Sequence, residues 1–189
     1  MIPALFLDRD GVINVDTGYA HRAEHIRFVD GIFQLCRVFQ ASGFALVVIT
    51  NQAGVARGYY SEDDVRALHA WMSAQFARRG VTLTGAYYCP HHPEGTLADL
   101  AIACDCRKPQ PGMILRAQRE LDLDLSASVL IGDRESDIQA GINAGIPINL
   151  KMESAEGQSA SRAAAVLPGL AAAVHHARHL GILPKSATA

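Results

Sequence analysis

The chain has 189 residues, enough for one domain whose single core buries about 70% of the unfolded surface, so no metal or disulfide is needed merely to fold it. A net charge of −2 with 19% charged residues leaves no basic stripe for nucleic acid. The longest apolar runs, such as Phe44 to Ile49, fall far below the roughly 20 residues of a membrane span, and no basic segment leads into a signal-type apolar core, so neither nucleic acid nor membrane is expected as a partner and a cytoplasmic location is.

Along the chain, apolar strand-like runs alternate with helical patterns, the signature of an α/β fold with a parallel sheet. Ala4 to Leu7 is the first strand. Gly31 to Ala41 places Ile32, Leu35, Cys36, Val38 and Phe39 at helical spacing and stops at Ser42-Gly43. The second strand, Phe44 to Ile49, runs into Thr50. Ser61 with Asp64 three residues on reads as a helix start, and Val65, Leu68, Trp71, Met72 and Phe76 form its apolar face up to Gly80. Leu83 to Tyr88 is the next strand. A helix from Pro111-Gly112 to about Leu121 precedes a strand over Ser128 to Ile131, which ends in Gly132-Asp133. Helix is expected over Ser136 to Ala144, strand over Pro147 to Leu150, and a closing helix over Pro168 to Leu180. Residues 1 to 189 read as a single domain, with a loose loop over Glu153 to Ser161 and a frayed tail over Pro184 to Ala189.

Three of the strands end in residues that do chemistry: Asp8-Arg9-Asp10-Gly11, Thr50-Asn51 and Gly132-Asp133. In open parallel sheets ligands bind beyond the carboxyl ends of the strands, so these groups converge on one edge. Side chains two apart on an extended segment point the same way; Asp8 and Asp10 therefore face one site, Arg9 faces elsewhere, and Gly11 lets the backbone turn. Close carboxylates suit Mg²⁺, which also keeps waters and phosphate oxygens as ligands. A phosphoryl group bound there needs a nucleophile, donors for its oxygens, a metal and a further cation. Asp8 can form an aspartyl phosphate, Thr50 donates its hydroxyl and Asn51 its amide, Asp133 completes the magnesium site, and Lys108 is the fixed cation. Asp10 can protonate the leaving alkoxide and then take a proton from the hydrolytic water. Taken singly, each segment is also an ordinary strand terminator or surface residue; their joint occurrence in this order favours chemistry.

The runs Phe6-Leu7-Asp8-Arg9-Asp10-Gly11-Val12-Ile13-Asn14, Ile49-Thr50-Asn51-Gln52, Arg107-Lys108-Pro109 and Gly132-Asp133-Arg134-Glu135-Ser136-Asp137 resemble the four motifs of the haloacid-dehalogenase-like (HAD) phosphohydrolases, Asp-nucleophile, Mg²⁺-dependent phosphatases with a Rossmann-like doubly wound parallel sheet. The resemblance implies that Asp8 attacks phosphorus, that Asp10 is the acid/base, and that Mg²⁺ is bound by Asp8, the backbone carbonyl of Asp10, and Asp133. It makes Asp137 a support rather than a ligand. Too few residues separate Asp10 from Thr50 for a folded cap, so specificity is expected from the loops Val15 to Arg27, Ala53 to Gly58 and a third segment rich in cysteine.

That segment, Cys89-Pro90-His91-His92-Pro93 followed by Cys104-Asp105-Cys106, holds three of the four cysteines. Three thiolates and an imidazole make a closed tetrahedral site of the kind structural Zn²⁺ takes. His91 is the better ligand, because Cys-x-His brings both donors onto one turn while His92 points away. Three ordinary buried cysteines are the plainer alternative, against which their crowding in a cysteine-poor chain counts. Such a site carries about one net negative charge; it organises the loop from which Arg107 and Lys108 emerge and does not itself attract phosphate.

This zinc loop, joined to Gly54-Val55-Ala56-Arg57-Gly58 and Cys106-Arg107-Lys108-Pro109, is similar to that of the D-glycero-D-manno-heptose 1,7-bisphosphate 7-phosphatases, which serve biosynthesis of the heptose of lipopolysaccharide core or of nucleotide-activated heptoses. The resemblance implies a small sugar bisphosphate as partner, its second phosphate met by Arg57 and Arg107. Histidinol-phosphate phosphatases share the zinc motif with a shorter loop, and a zinc-stapled scaffold without activity is the alternative of another class. Lys151-Met152-Glu153-Ser154 lacks the family's basic Gly-containing turn, so no substrate contact is assigned there. His175 and His179 are expected to be surface histidines, and the chain a monomer.

Overall fold

The computed structural model describes residues 1–153 and 161–184; most of the expected loose loop and tail, 154–160 and 185–189, lies outside the described residues. Six strands form one wholly parallel sheet: β1 (Ile2–Leu7), β2 (Ala45–Asn51), β3 (Gly85–Cys89), β4 (Leu123–Gly132), β5 (Ile148–Met152) and β6 (Ala165–Leu167). Their order across the sheet is β3-β2-β1-β4-β5-β6. The chain direction across the sheet reverses between β1 and β4, and at such a switch point the loops above the strand ends part to leave a crevice.

Ala4, Leu5, Phe6 and Leu7 of β1 are all fully buried, as a strand covered on both faces requires. Leu5 and Leu7 enter one apolar layer with α1 (Ile32–Ala41), α3 (Glu62–Ala77) and α6 (Leu170–His179). Ala4 and Phe6 enter the opposite layer, with α4 (Gly112–Leu121) and α5 (Glu135–Ala144). Alternate residues of one strand thus tie two helical layers together.

Register sets the height of the site. Leu7 pairs with Val48 on one side and Ile131 on the other, so Asp8, the end of β2 and the Gly132-Asp133 turn come out level. Asn51 pairs with Cys89, which starts the cysteine loop beside the end of β2. Between β1 and β2 lie only a loop, a 3-10 turn at Ala23–His25 and α1, and no cap is present among the described residues.

Local sequence fixes the ends of the elements as expected at α3, where Ser61 and Asp64 exchange hydrogen bonds in a capping box. Three features differ from expectation. β4 begins at Leu123 rather than Ser128, with Leu123 and Leu125 buried and a register irregularity opposite Pro3 to Leu5. A single turn, α2 (Ala53–Ala56), follows β2, and the three-residue β6 adds an edge to β5. Both are too short to generate a periodic apolar pattern.

Candidate active site

Asp8 leaves β1 with its backbone N–H on the Ile131 carbonyl, 3.0 Å away, so the strand pairing continues through the residue itself. The chain then turns at Gly11 (φ 89°), where a Cβ would collide with the Asp133 carboxylate. The turn is anchored beneath by the fully buried Val12 and Ile13. Asp133 arrives from the end of β4, and Asp137 from the first turn of α5. Ligand oxygens of Asp8, Asp133 and Asp137 lie within 4.8 Å of one another.

The Lys108 ammonium is buried among them, 2.8 Å from Asp8 Oδ1, 2.7 Å from Asp137 Oδ1 and 3.0 Å from the carbonyl of Ile49, to which it donates. Burial opposes its charge, but the Asp137 and Asp8 carboxylates outweigh burial and raise its pKa above the ordinary lysine value. Burial and the Asp137 charge push the Asp8 carboxyl well above the carboxylate range, against the pull of Lys108. Burial, then Asp137, pushes Asp133 up to about 6. Its Oδ1 is buried with no hydrogen-bond partner among the described residues. Three carboxylates against one ammonium leave an excess of negative charge, and with that orphan acceptor the donor set fits a hard divalent cation such as Mg²⁺.

Asp10 sits beside this centre in a different environment. Its carboxylate accepts from Arg9 Nη2 at 2.7 Å, Asn14 Nδ2 at 2.9 Å and Gln52 Nε2 at 3.3 Å. Arg9 does leave the cleft, as alternation predicts, but it does not run elsewhere: its fully buried guanidinium curls back under Asp10 and also donates to the Ala20 carbonyl at 2.7 Å. A turn bends the strand after Asp8, which brings side chains of consecutive residues within reach.

Thr50 is buried at the cleft wall, its hydroxyl accepting from Gln52 Nε2 at 2.8 Å. Asn51 also lines the cleft, but its amide spans the backbone of Lys108, donating to the carbonyl at 3.1 Å and accepting the N–H at 3.0 Å. Asn51 therefore seats the lysine. Asp137 supports from the other side, one oxygen on Lys108 and the other accepting the Arg134 N–H at 2.9 Å.

The cleft above these groups has a volume of about 460 Å³, within the range of small-molecule sites. Arg57, Arg107 and Arg134 line it together with Tyr19 and His92. Arg57 Nη1 donates to the Tyr19 hydroxyl at 2.7 Å, Arg107 Nη1 to the His91 carbonyl at 3.3 Å, and Arg134 Nη2 to Asp16 at 3.0 Å. His92, Gln52 and Tyr19 were not among the residues the sequence singled out for the site. His92 does turn away from the cysteines, and in doing so faces the cleft. Alternation along Cys89 to His92 carries that signal, since a neighbour of a ligand must face the other way.

The cysteine loop closes on itself. Cys89 and Cys106 Sγ are 3.0 Å apart, Cys104 and Cys106 3.3 Å, and His91 Nδ1 lies 3.3 Å from Cys106 Sγ. No disulfide links them. The four donors, from two segments 15 residues apart, fit a zinc-binding loop with His91 rather than His92 as the nitrogen ligand. His175 and His179 are exposed on α6 and join no such group among the described residues.

Comparison with known proteins agrees with this geometry. A HAD-hydrolase-like family model matches residues 105–173. The chain is 47% identical over 165 residues to D-glycero-beta-D-manno-heptose-1,7-bisphosphate 7-phosphatase of Yersinia pestis, covering 85% of this chain and 88% of that one. It is 54% identical over 147 residues to the D-glycero-alpha-D-manno-heptose-1,7-bisphosphate 7-phosphatase of Burkholderia mallei, 78% of each chain. Among solved structures, the D,D-heptose 1,7-bisphosphate phosphatase of B. bronchiseptica, complexed with magnesium and phosphate, superposes with a TM-score of 0.79 at 29% identity over 95% of this chain and 99% of that one. Identity of this extent, over a shared sheet and a carboxylate centre of this composition, shows that the chain belongs to the heptose-1,7-bisphosphate 7-phosphatase family of HAD-like hydrolases.

Proposed function

We infer that the protein hydrolyses the C7 phosphate of D-glycero-D-manno-heptose 1,7-bisphosphate through a phosphoryl group carried on Asp8. The observation that carries this reading is the buried Asp8–Lys108–Asp137 ion cluster at the floor of a cleft whose wall bears Arg57 and Arg107. One end suits phosphoryl transfer and the other an anion held in place.

Asp8 attacks phosphorus, Lys108 and the Thr50 hydroxyl face the transferred oxygens, and Asp10 gives a proton to the departing C7 oxygen. Asp10 then takes a proton from the water that cleaves the phosphoryl–Asp8 bond, so one carboxyl serves both half-reactions. Asp8, Asp133 and the Asp10 backbone carbonyl hold Mg²⁺, which when bound neutralises charge on the site and on the transferred group. Cys89, His91, Cys104 and Cys106 hold Zn²⁺ as a structural ion. Arg57 and Arg107 meet the second phosphate, guanidinium giving two parallel hydrogen bonds and hence orientation. A monomer is the proposed oligomeric state.

The test is phosphate release with and without Mg²⁺ from heptose 1,7-bisphosphate, fructose 1,6-bisphosphate and histidinol phosphate in parallel. The expected result is Mg²⁺-dependent turnover that is fastest on the heptose. Equal or greater kcat/KM on histidinol phosphate would overturn the substrate, and absence of release from all three would overturn the activity.

A further inference from the structure

Asp10 has two kinds of partner. Arg9 and Asn14 are fully buried and reach it from behind the cleft wall. Gln52 reaches it from the cleft side, and of these partners it alone lines the cleft. The same Nε2 that donates to Asp10 Oδ2 at 3.3 Å donates to Thr50 Oγ1 at 2.8 Å. Two N–H bonds on one nitrogen are thus shared between the proton-transferring carboxyl and a hydroxyl that faces the transferred phosphoryl group. The Asp10 contact needs nitrogen at that position of the amide, because an ionised carboxylate only accepts, whereas the Thr50 hydroxyl can accept or donate.

The other end of the amide is held by Tyr60. Gln52 Oε1 accepts from the Tyr60 hydroxyl at 2.9 Å. Tyr60 is itself held by two neighbours. Its ring presses on Gly54, where a Cβ would collide with it, and stacks on His21 with centroids 4.8 Å apart and planes 12° from parallel. Burial raises the Tyr60 pKa to about 12, so the hydroxyl keeps its proton to donate.

We propose that Gln52 is a positioning residue for proton transfer: its Nε2 ties the Asp10 carboxyl to the Thr50 hydroxyl, and the Tyr60 hydroxyl holds its amide in the orientation that does so. The proposal rests on the reading that Asp10 moves the protons of phosphoryl transfer. In the first half-reaction an Asp8 oxygen bonds to phosphorus, the bond from phosphorus to the C7 oxygen breaks, and that oxygen takes the Asp10 proton. In the second, water oxygen bonds to phosphorus, the bond to Asp8 breaks, and the water proton returns to Asp10. Arg9 Nη2 also holds Asp10 Oδ2, at 2.7 Å, and Asn14 holds Oδ1, both from behind the cleft wall; of these donors Gln52 alone links the carboxyl to the Thr50 hydroxyl on the cleft side.

The test is steady-state phosphate release from heptose 1,7-bisphosphate by the parent, Gln52→Met, Gln52→Glu, Tyr60→Phe and the Gln52→Met/Tyr60→Phe pair, with thermal melts of each. Gln52→Met keeps the volume, and Gln52→Glu keeps the shape without the N–H donors. Both are expected to lower kcat about 10- to 10²-fold, part of what an acid/base group supplies, with KM within about twofold of the parent. Tyr60→Phe keeps the stacked ring and loses one hydrogen bond, for a fall of about 3- to 10-fold. The double variant is expected to be no slower than Gln52→Met, because the two residues act through one amide. Parent-like kcat in Gln52→Met or Gln52→Glu would reduce Gln52 to packing and overturn the proposal, as would losses that multiply in the double variant. Tyr60→Phe keeps the test open should Gln52→Met melt too low to assay. A parent inactive on every phosphate ester would instead remove the function on which the proposal stands.

Discussion

At the centre of the site a few atoms decide between stability and chemistry, and substitutions separate the two. Asp8→Asn cannot form an acyl phosphate, so turnover is expected to vanish. The same change removes one of three crowded carboxylates, and Asp8 is held well above the carboxylate range mainly by burial. The metal-free variant is therefore expected to melt no lower than the parent; a lower melting temperature would show that Asp8 repays its burial through Lys108. Lys108→Met is the opposite case. It strips the counter-charge from two buried acids, and breaking a buried pair from one side costs about 3–5 kcal/mol, readable as a fall in the denaturant midpoint. The placement of Asp8, Asp133 and Lys108 was legible because each follows the end of an apolar strand or abuts a proline, and that of Asp10 because it lies two residues beyond Asp8. The contributions of Arg9 and Gln52 were not, since they depend on where a turn folds a side chain back. No periodicity in the sequence encodes that.

At the level of elements, the cysteine loop shows how a staple far from the reacting atoms reaches them. Cys106 precedes Arg107 and Lys108 directly, and Asn51 at the end of β2 grips the Lys108 backbone from the other side. Fixing that thiolate and that amide fixes where the ammonium emerges. One equivalent of zinc is expected by elemental analysis, and Cys104→Ala is expected to lower both melting temperature and kcat, because the loop that carries the cations loosens. Full turnover in zinc-free protein would uncouple the staple from catalysis. The long elements were readable from apolar spacing, α3 down to its cap. The early start of β4 was not, because Asp124 and Ser126 hydrogen-bond to each other there and read as a turn. The edge strand β6 is only three residues long and is defined by its pairing to β5, too short to leave a side-chain pattern.

For the molecule as a whole, the parallel sheet brings Asp8 at the end of β1 together with the sequence-distant Asp133 and Asp137 at the β4–α5 junction, and that placement ties folding to metal and to pH. Asp133 has a folded pKa of about 6 against an ordinary value of 3.8. A carboxyl raised on folding binds its proton more tightly in the folded state, so it subtracts stability above about pH 6, and the penalty shrinks as pH falls through 6 and is gone below 3.8. Asp8 is shifted in the same direction. A divalent cation removes the same penalty by pairing with the ionised form. Mg²⁺ is therefore expected to raise the melting temperature strongly at pH 7.5 and little at pH 5, where protons already occupy the carboxyls and compete with the metal. Asp133→Asn should flatten that difference while raising the metal-free melting temperature at pH 7.5. Melts with and without Mg²⁺ across this range check both, and a magnesium effect equal at the two pH values would show that the cation binds away from the three acids.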